Sequence, residues 1–224
     1  MLCCAMSSAF PKTTVPFTSL HQGRVSTPCP DLTYGLLHEK GKGFTESQNI
    51  VSRQLYPSYG MIGQGAKLSF PLLVVEMKGF GPSTDALFMA INQCVGGSAA
   101  CVKIINDLNH LLDKYPGIDH VNNTAFSIAM SPRNAIIHAT WSPDGSRYYI
   151  KELQSLDLTT SKGYLKLWRR VHNILDWGEN TRFQDIQSAL DAIVVHDQKA
   201  TSESTKGSSS PFGDARGKDP EMKK

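Results

Sequence analysis

The chain has 224 residues, enough for one domain with a core of ordinary size. Its 40% hydrophobic and 19% charged residues are those of a soluble globular protein, and a net charge of +3 is too small to argue for a nucleic-acid partner by itself. The five cysteines (Cys3, Cys4, Cys29, Cys94 and Cys101) form no CxxC pair and no Cys/His spacing suited to zinc, which excludes a zinc-finger module and favours a reducing, intracellular compartment.

Met1 to Met6 is too short for the apolar part of a signal peptide, and Ser7, Ser8 and Lys12 break up the residues after it. No apolar stretch approaches the roughly 20 residues that span a bilayer, so no membrane partner is expected. Residues 1–27 are rich in Ser, Thr and Pro without periodicity and read as loosely packed. A single domain is expected over 28–196.

Within that domain, Asp31 to Leu37 reads as a strand, with Leu32, Tyr34 and Leu36 on one face and Asp31 with Thr33 on the other. Phe44 to Tyr56 admits a helix with Thr45 as its cap and Gln48 three residues on. Gly60, Gly63 and Gly65 mark a loop. Leu68 to Lys78 is the clearest strand, and its run Leu72-Leu73-Val74-Val75 fits a central position covered on both faces.

Gly79 to Ser83 ends that strand, and Ser83 or Thr84 can cap the segment that continues to Leu112. Helical spacing links Leu87, Ile91, Cys94 and Val95, then Val102, Ile105, Leu108 and Leu112. Gly96-Gly97 in the middle is a kink, a break, or a place where the helix lies close to a sheet; each glycine costs about 1 kcal/mol relative to alanine. A meander comes next, with strands at Phe126–Met130, Ala135–Trp141 and Tyr148–Leu156 and a turn at Pro143-Asp144-Gly145. Two helices close the domain, one with a stripe of Leu165, Trp168, Val171 and Leu175, the other with Phe183, Ile186, Leu190 and Ile193. Residues 197–224 read as a disordered polar tail.

Chemistry concentrates at Glu76-Met77-Lys78. An acid and a lysine two apart on a strand point to one face. With a second acid at the strand end, they can hold a divalent metal and activate water. The order of a strand with Asp31, a strand with Glu76-x-Lys78, then a helix resembles the PD-(D/E)XK nuclease superfamily, with Pro30-Asp31 matching its first half. The runs CPDLTYG (29–35), VVEMKG (74–79), NQCVGGSAACV (92–102) and NILDWGENTRFQDIQSALD (173–191) are also similar to an uncharacterised fungal domain of nuclease-like fold.

The resemblance implies a restriction-endonuclease-like α/β fold: a mixed central sheet flanked by helices, two of them C-terminal. It implies magnesium, with manganese as substitute, on Asp31, Glu76 and the Met77 backbone carbonyl, and Lys78 as the catalytic cation. Gln93 matches a glutamine that some exonuclease-like members place near the site, although a structural amide is its plainer reading. Nucleic acid is the implied substrate. The spacing from Asp31 to Glu76 is longer than the family's usual one and implies an insertion, and no acidic helix precedes Asp31.

The alternative is a catalytically inactive relative acting as a binding or scaffold module. Other motifs carry less. Gly97-Ser98 lacks the second glycine of a nucleophile turn, and Gly63-Gln64-Gly65-Ala66-Lys67 lacks the Walker pattern. His110, His138 and His172 read as surface or satisfied histidines, Cys94 and Cys101 as core. Lys166, Arg169 and Arg170 fit phosphate contact and a solvated helix face equally well. Trp168 and Trp177 read as core anchors.

Overall fold

The computed structural model describes residues 2–6, 28–39, 42–55, 68–79 and 86–206. In chain order the elements are β1 (Leu2–Met6), β2 (Leu32–Glu39), β3 (Lys42–Gly43), α1 (Glu46–Leu55), β4 (Leu68–Met77), α2 (Ala86–Leu112), β5 (Ala125–Met130), β6 (Asn134–Trp141), β7 (Tyr149–Asp157) and α3 (Ser161–Trp177). A π-helical turn, Gly178–Arg182, then leads into α4 (Phe183–Lys206). The sheet order is β1-β2-β4-β5-β6-β7, with β3 folded back on β2. All neighbours are antiparallel except β4 and β5, whose parallel pairing requires a crossover, here built from α2. The chain is thus an α/β domain with a mixed sheet, flanking helices and two C-terminal helices.

β4 lies between β2 and β5 and is buried along nearly its whole length, as its apolar run requires. Its side chains divide between two cores. Val74 joins Cys101, Ile105 and Leu108 of α2 and Ile186 and Leu190 of α4. Leu73 and Val75 join Ile128, Ile137, Leu156 and the α3 residues Leu167 and Ile174. At the start of β4 the register with β2 shifts between Tyr34 and Leu36, and Phe70, the residue before Pro71, takes a positive φ of 46°. Pro71 donates no ladder bond, which suits a register shift at this point; nothing in the sequence favours the positive φ of Phe70.

α1 starts with a reciprocal cap: Thr45 N donates to Gln48 Oε1 (2.8 Å) and Gln48 N donates to Thr45 Oγ1 (3.3 Å). Gln48 Nε2 then donates to Asp191 Oδ1 of α4 (2.7 Å). β3 and α1 fill part of the long spacing between Asp31 and Glu76; the Gly60–Gly65 loop lies outside the described residues.

Several expectations change or narrow. Leu2–Met6, within the segment read as loose, is an edge strand paired with β2; residues 7–27 lie outside the described residues. Gly96-Gly97 neither kinks nor breaks α2, which runs unbroken for 27 residues. α2 is long and apolar enough to cross a membrane by length and composition, but more than half of its most apolar stretch is buried in the domain. On α3, Val171 and Leu175 pack against the core as expected, but the buried positions are Gly163, Leu167 and Ile174, and Leu165 and Trp168 are 52% and 53% exposed.

Gly163 sets that rotation. A Cβ there would collide with the Asp157 carbonyl, so the helix turns its bare side to the end of β7, and positions four and eleven residues on follow inward. Helix α4 buries Ile186, Leu190 and Ile193 as expected but continues to Lys206, past the expected boundary at 196. Residues 207–224 lie outside the described residues.

Candidate carboxylate–lysine site

The register of β2 on β4 brings the two acids together. Leu32 pairs with Val75 and Thr33 with Val74, so Asp31, immediately before β2, comes beside Glu76 at the end of β4. Asp31 Oδ2 accepts the Met77 N–H at 2.6 Å, which pins the carboxylate to the strand end. The proline before it is wedged under α2. An ideal Cβ at Gly97 would stand 3.3 Å from both Pro30 Cγ and Val74 Cγ2, and one at Gly96 would stand 3.4 Å from Pro28 Cγ. The two glycines therefore let α2 lie close over the segment that carries Asp31.

Glu76 is 2% exposed. Lys78 Nζ stands 3.6 Å from its Oε2, and the lysine side chain keeps 27% of its surface in solvent. Lys78 N donates to Met130 O (2.9 Å), so the parallel β4–β5 pairing continues beyond Met77 and fixes the lysine backbone. Burial, and secondarily the negative charge of Asp31, pushes the Glu76 carboxyl from 4.5 up to about 7, and the lysine only partly opposes this. A carboxyl that titrates near neutrality can exist in either protonation state under ordinary conditions.

The other expected site residues distribute unevenly. The Met77 side chain is exposed, and its backbone N–H already serves Asp31. Gln93 is exposed on α2 and, among the described residues, makes no hydrogen bond to Asp31, Glu76 or Lys78. The next residue, Cys94, is fully buried beside Glu76; burial and the Glu76 charge push its thiol up to about 12, which makes it inert packing. Ser98 is also buried, bonded to Thr140 Oγ1 (2.8 Å) and to the Cys94 carbonyl (2.8 Å), so it is no nucleophile. Among the described residues there is no group of three or more His, Cys, Asp or Glu side chains placed to hold a metal. The available donors are two carboxylates and the Met77 carbonyl. That set fits magnesium, which is held through one or two carboxylates and otherwise keeps its waters.

Two features were missed by sequence reasoning. His138, read as surface or satisfied, is 6% exposed, with its Nδ1 lacking a hydrogen-bond partner among the described residues and its pKa lowered by burial. It pairs with Ser127 on the same sheet face as Val74, two residues along from Glu76. Its place at the middle of an apolar strand was the available signal. The second is Arg182, the largest fully buried side chain. It donates to the carbonyls of Thr124 (2.6 Å), Asn122 (3.3 Å) and Pro71 (3.4 Å), with its guanidinium 5.3 Å from the Trp177 ring centre. Nothing in the local pattern distinguishes it from a surface arginine at a helix start.

Over residues 5–190 the chain matches the model of a family described as a domain of unknown function, DUF7924, and it belongs to that family. Neither a curated protein nor a solved structure matches it.

Proposed function

We propose that this DUF7924 domain is a magnesium-dependent nuclease of the PD-(D/E)XK type, hydrolysing phosphodiesters in nucleic acid. The observation that carries this reading is the buried Glu76 carboxyl, beside Asp31 and 3.6 Å from Lys78, with its pKa raised to about 7. A buried acid that a neighbouring acid destabilises is costly to fold around, and such costs cluster where a site needs the charge. The order Asp31 strand, Glu76-x-Lys78 strand, crossover helix and parallel strand supports the same assignment.

Asp31, Glu76 and the Met77 carbonyl would hold magnesium, or manganese in its place. When bound, the ion supplies an activated water and offsets charge on the phosphate. The remaining work belongs to the chain. The Met77 N–H orients Asp31, and the β4–β5 ladder fixes the backbone at Lys78. Lys78, tethered electrostatically to Glu76 yet open to solvent, meets the phosphate and stabilises the charge that builds on it.

The test is cleavage of plasmid and single-stranded substrates in magnesium and in manganese, comparing wild type, Glu76→Ala and Lys78→Ala. Wild-type cleavage lost in both variants is the expected result. Cleavage that persists in both belongs to another site or a contaminant and overturns the assignment.

A second reading, a catalytically inactive binding or scaffold module, is favoured by one observation. Asp31 already accepts a backbone N–H, and Glu76 is almost closed to solvent with a lysine against it. Wild type that cleaves no substrate and gains no thermal stability from magnesium would establish this reading instead. A bound ligand at a hundred times its dissociation constant adds about 2.7 kcal/mol.

A further inference from the structure

The sheet face opposite the carboxylates holds a second, differently built site. Between α3 and the edge strand β7 lies a cavity of about 410 Å³ with a floor of Phe126, Ile137, Ile174 and Trp177. Its size falls within the range of small-molecule sites. Gln154 and Asn173 line it and also line an adjoining recess of about 290 Å³, whose remaining walls are Lys166, Arg169 and Arg170. The cavity is therefore apolar at one end, amide-lined at the seam and cationic at the other end.

The cationic end carries an excess of positive charge. Helix α3 carries Lys162, Lys166, Arg169 and Arg170, and its one acid, Asp176, forms no salt bridge with them among the described residues. Among the described residues Lys166, Arg169 and Arg170 form no salt bridge. Arg170 Nε donates to Gln154 Oε1 (3.0 Å), which holds the guanidinium over the seam and leaves the Gln154 amide N–H groups available. Glu152 of β7 pairs with His138, whose ring shares the other sheet face, and so does not neutralise this cluster.

We propose that this groove binds a nucleotide unit, its base on the apolar floor and its phosphate among Lys166, Arg169 and Arg170. Arginine forks suit phosphate oxygens, and side-chain amides offer both donor and acceptor to a base edge. A simple acyl anion fits less well, because it would cover the two seam amides without satisfying them. The same chemistry is presented by a free nucleotide and by one unit of a nucleic-acid strand. The site stands apart from the carboxylate–lysine reading, since none of its residues belongs to that reading and it needs no metal.

The experiment is a titration of the full-length chain in EDTA with adenosine monophosphate by calorimetry, and with a labelled short oligothymidylate by anisotropy. Lys166→Glu/Arg169→Glu is expected to weaken binding by about tenfold or more, as losing charge-assisted phosphate contacts does. Asn173→Leu should weaken both probes while leaving binding of inorganic phosphate unchanged. Lys114→Glu, a charge reversal at the exposed turn after α2, should leave affinity within about twofold. Saturation by the mononucleotide assigns a free-nucleotide site; binding of the oligonucleotide alone assigns a strand subsite, and either supports the proposal.

Three results overturn it: no saturable binding of either probe, equal weakening by Lys114→Glu, or displacement by dodecyl phosphate at lower concentration than by nucleotide. The last would make the groove a site for amphipathic anions. Melting temperatures of the variants are expected to match wild type, because the substituted side chains are exposed.

Discussion

β4 meets a buried charged group at each end, and the two are treated differently. At its start Arg182 is wholly buried, but three carbonyls and the Trp177 ring receive its guanidinium. One of those carbonyls belongs to Pro71, within the irregular stretch of β4. At the other end Glu76 is nearly as buried, yet its neighbours are another acid and a half-engaged lysine, and its carboxyl is pushed up to about 7. A buried charge whose terminal nitrogens both meet acceptors is a fastening, even with its Nε left without one, whereas an acid left in conflict is a group the fold tolerates for another reason. The contrast separates a structural ion from a functional candidate without reference to any relative.

The largest expected effect tests the fastening. Arg182→Met should destabilise the domain by about 3–5 kcal/mol, since three carbonyls lose a charged donor at once, each at about 1–3 kcal/mol. Urea unfolding followed by far-ultraviolet circular dichroism measures it. A loss under about 1 kcal/mol would mean water replaces the guanidinium and the arginine is no fastening.

At the other end of the strand, Lys78→Ala should lower turnover by about a hundredfold to a thousandfold, as loss of one preorganised electrostatic donor does, with stability changed by about 1 kcal/mol or less because Glu76 can take up a proton when the lysine is lost. The pairing of a large kinetic effect with a small thermodynamic one is the opposite of the pattern expected for Arg182. If Lys78→Ala instead melts the domain and leaves turnover intact, the two ends of β4 exchange roles.

Sequence patterning made the sheet legible because its signals are local. The unbroken Leu72–Val75 run marked the central strand, and Thr45 with Gln48 marked the start of α1. The acid pair was legible in kind, since Asp31 and Glu76 both fall at strand ends that the register then brings together. Three things were not legible, each for a non-local reason. The rotation of α3 depends on Gly163 meeting the Asp157 carbonyl, a contact that the apolar stripe Leu165, Trp168, Val171 and Leu175 does not reveal. The burial of Arg182 depends on a carbonyl 58 residues away, and that of His138 on its place between strands β5 and β7. The closeness of α2 to Pro30 was one of three readings of Gly96-Gly97, and only the packing selects among them.

The third expectation concerns the sign of the pH dependence. The folded pKa of Glu76 lies above its ordinary 4.5, so between about 4.5 and 7 the native state holds a proton that the unfolded state has lost. Stability therefore falls as pH rises through that window, by an amount of order 1–3 kcal/mol when fully expressed. Glu76→Gln should flatten that part of the profile and be the more stable protein at pH 8. Magnesium should recover the loss in wild type but not in the variant, with proton release on binding and weaker affinity below about pH 7. Thermal melts from pH 4 to 8 with and without magnesium read all of this. A Glu76→Gln protein with the wild-type slope would place the pH dependence elsewhere and remove the conflict on which the comparison rests.

The smallest expected effect asks whether α2 positions the acid end or merely covers it. At Gly97 alanine gains about 1 kcal/mol of helix propensity over glycine. Its Cβ would stand 3.3 Å from Pro30 and Val74, so those neighbours must move by a few tenths of an ångström. These opposing contributions leave the net stability change of Gly97→Ala within about 1 kcal/mol of zero. The displaced neighbour is not neutral, however, because Pro30 precedes Asp31, whose carboxylate must stay on the Met77 N–H to face Glu76. Gly97→Ala should thus weaken magnesium binding several-fold at almost unchanged melting temperature, while the equivalent substitution at Gly117, where a Cβ meets nothing but φ is +86°, should cost stability and leave magnesium binding alone. If Gly97→Ala leaves magnesium affinity untouched, the packing of α2 on Pro30 is cover alone, and the Met77 hydrogen bond suffices to hold Asp31 in place.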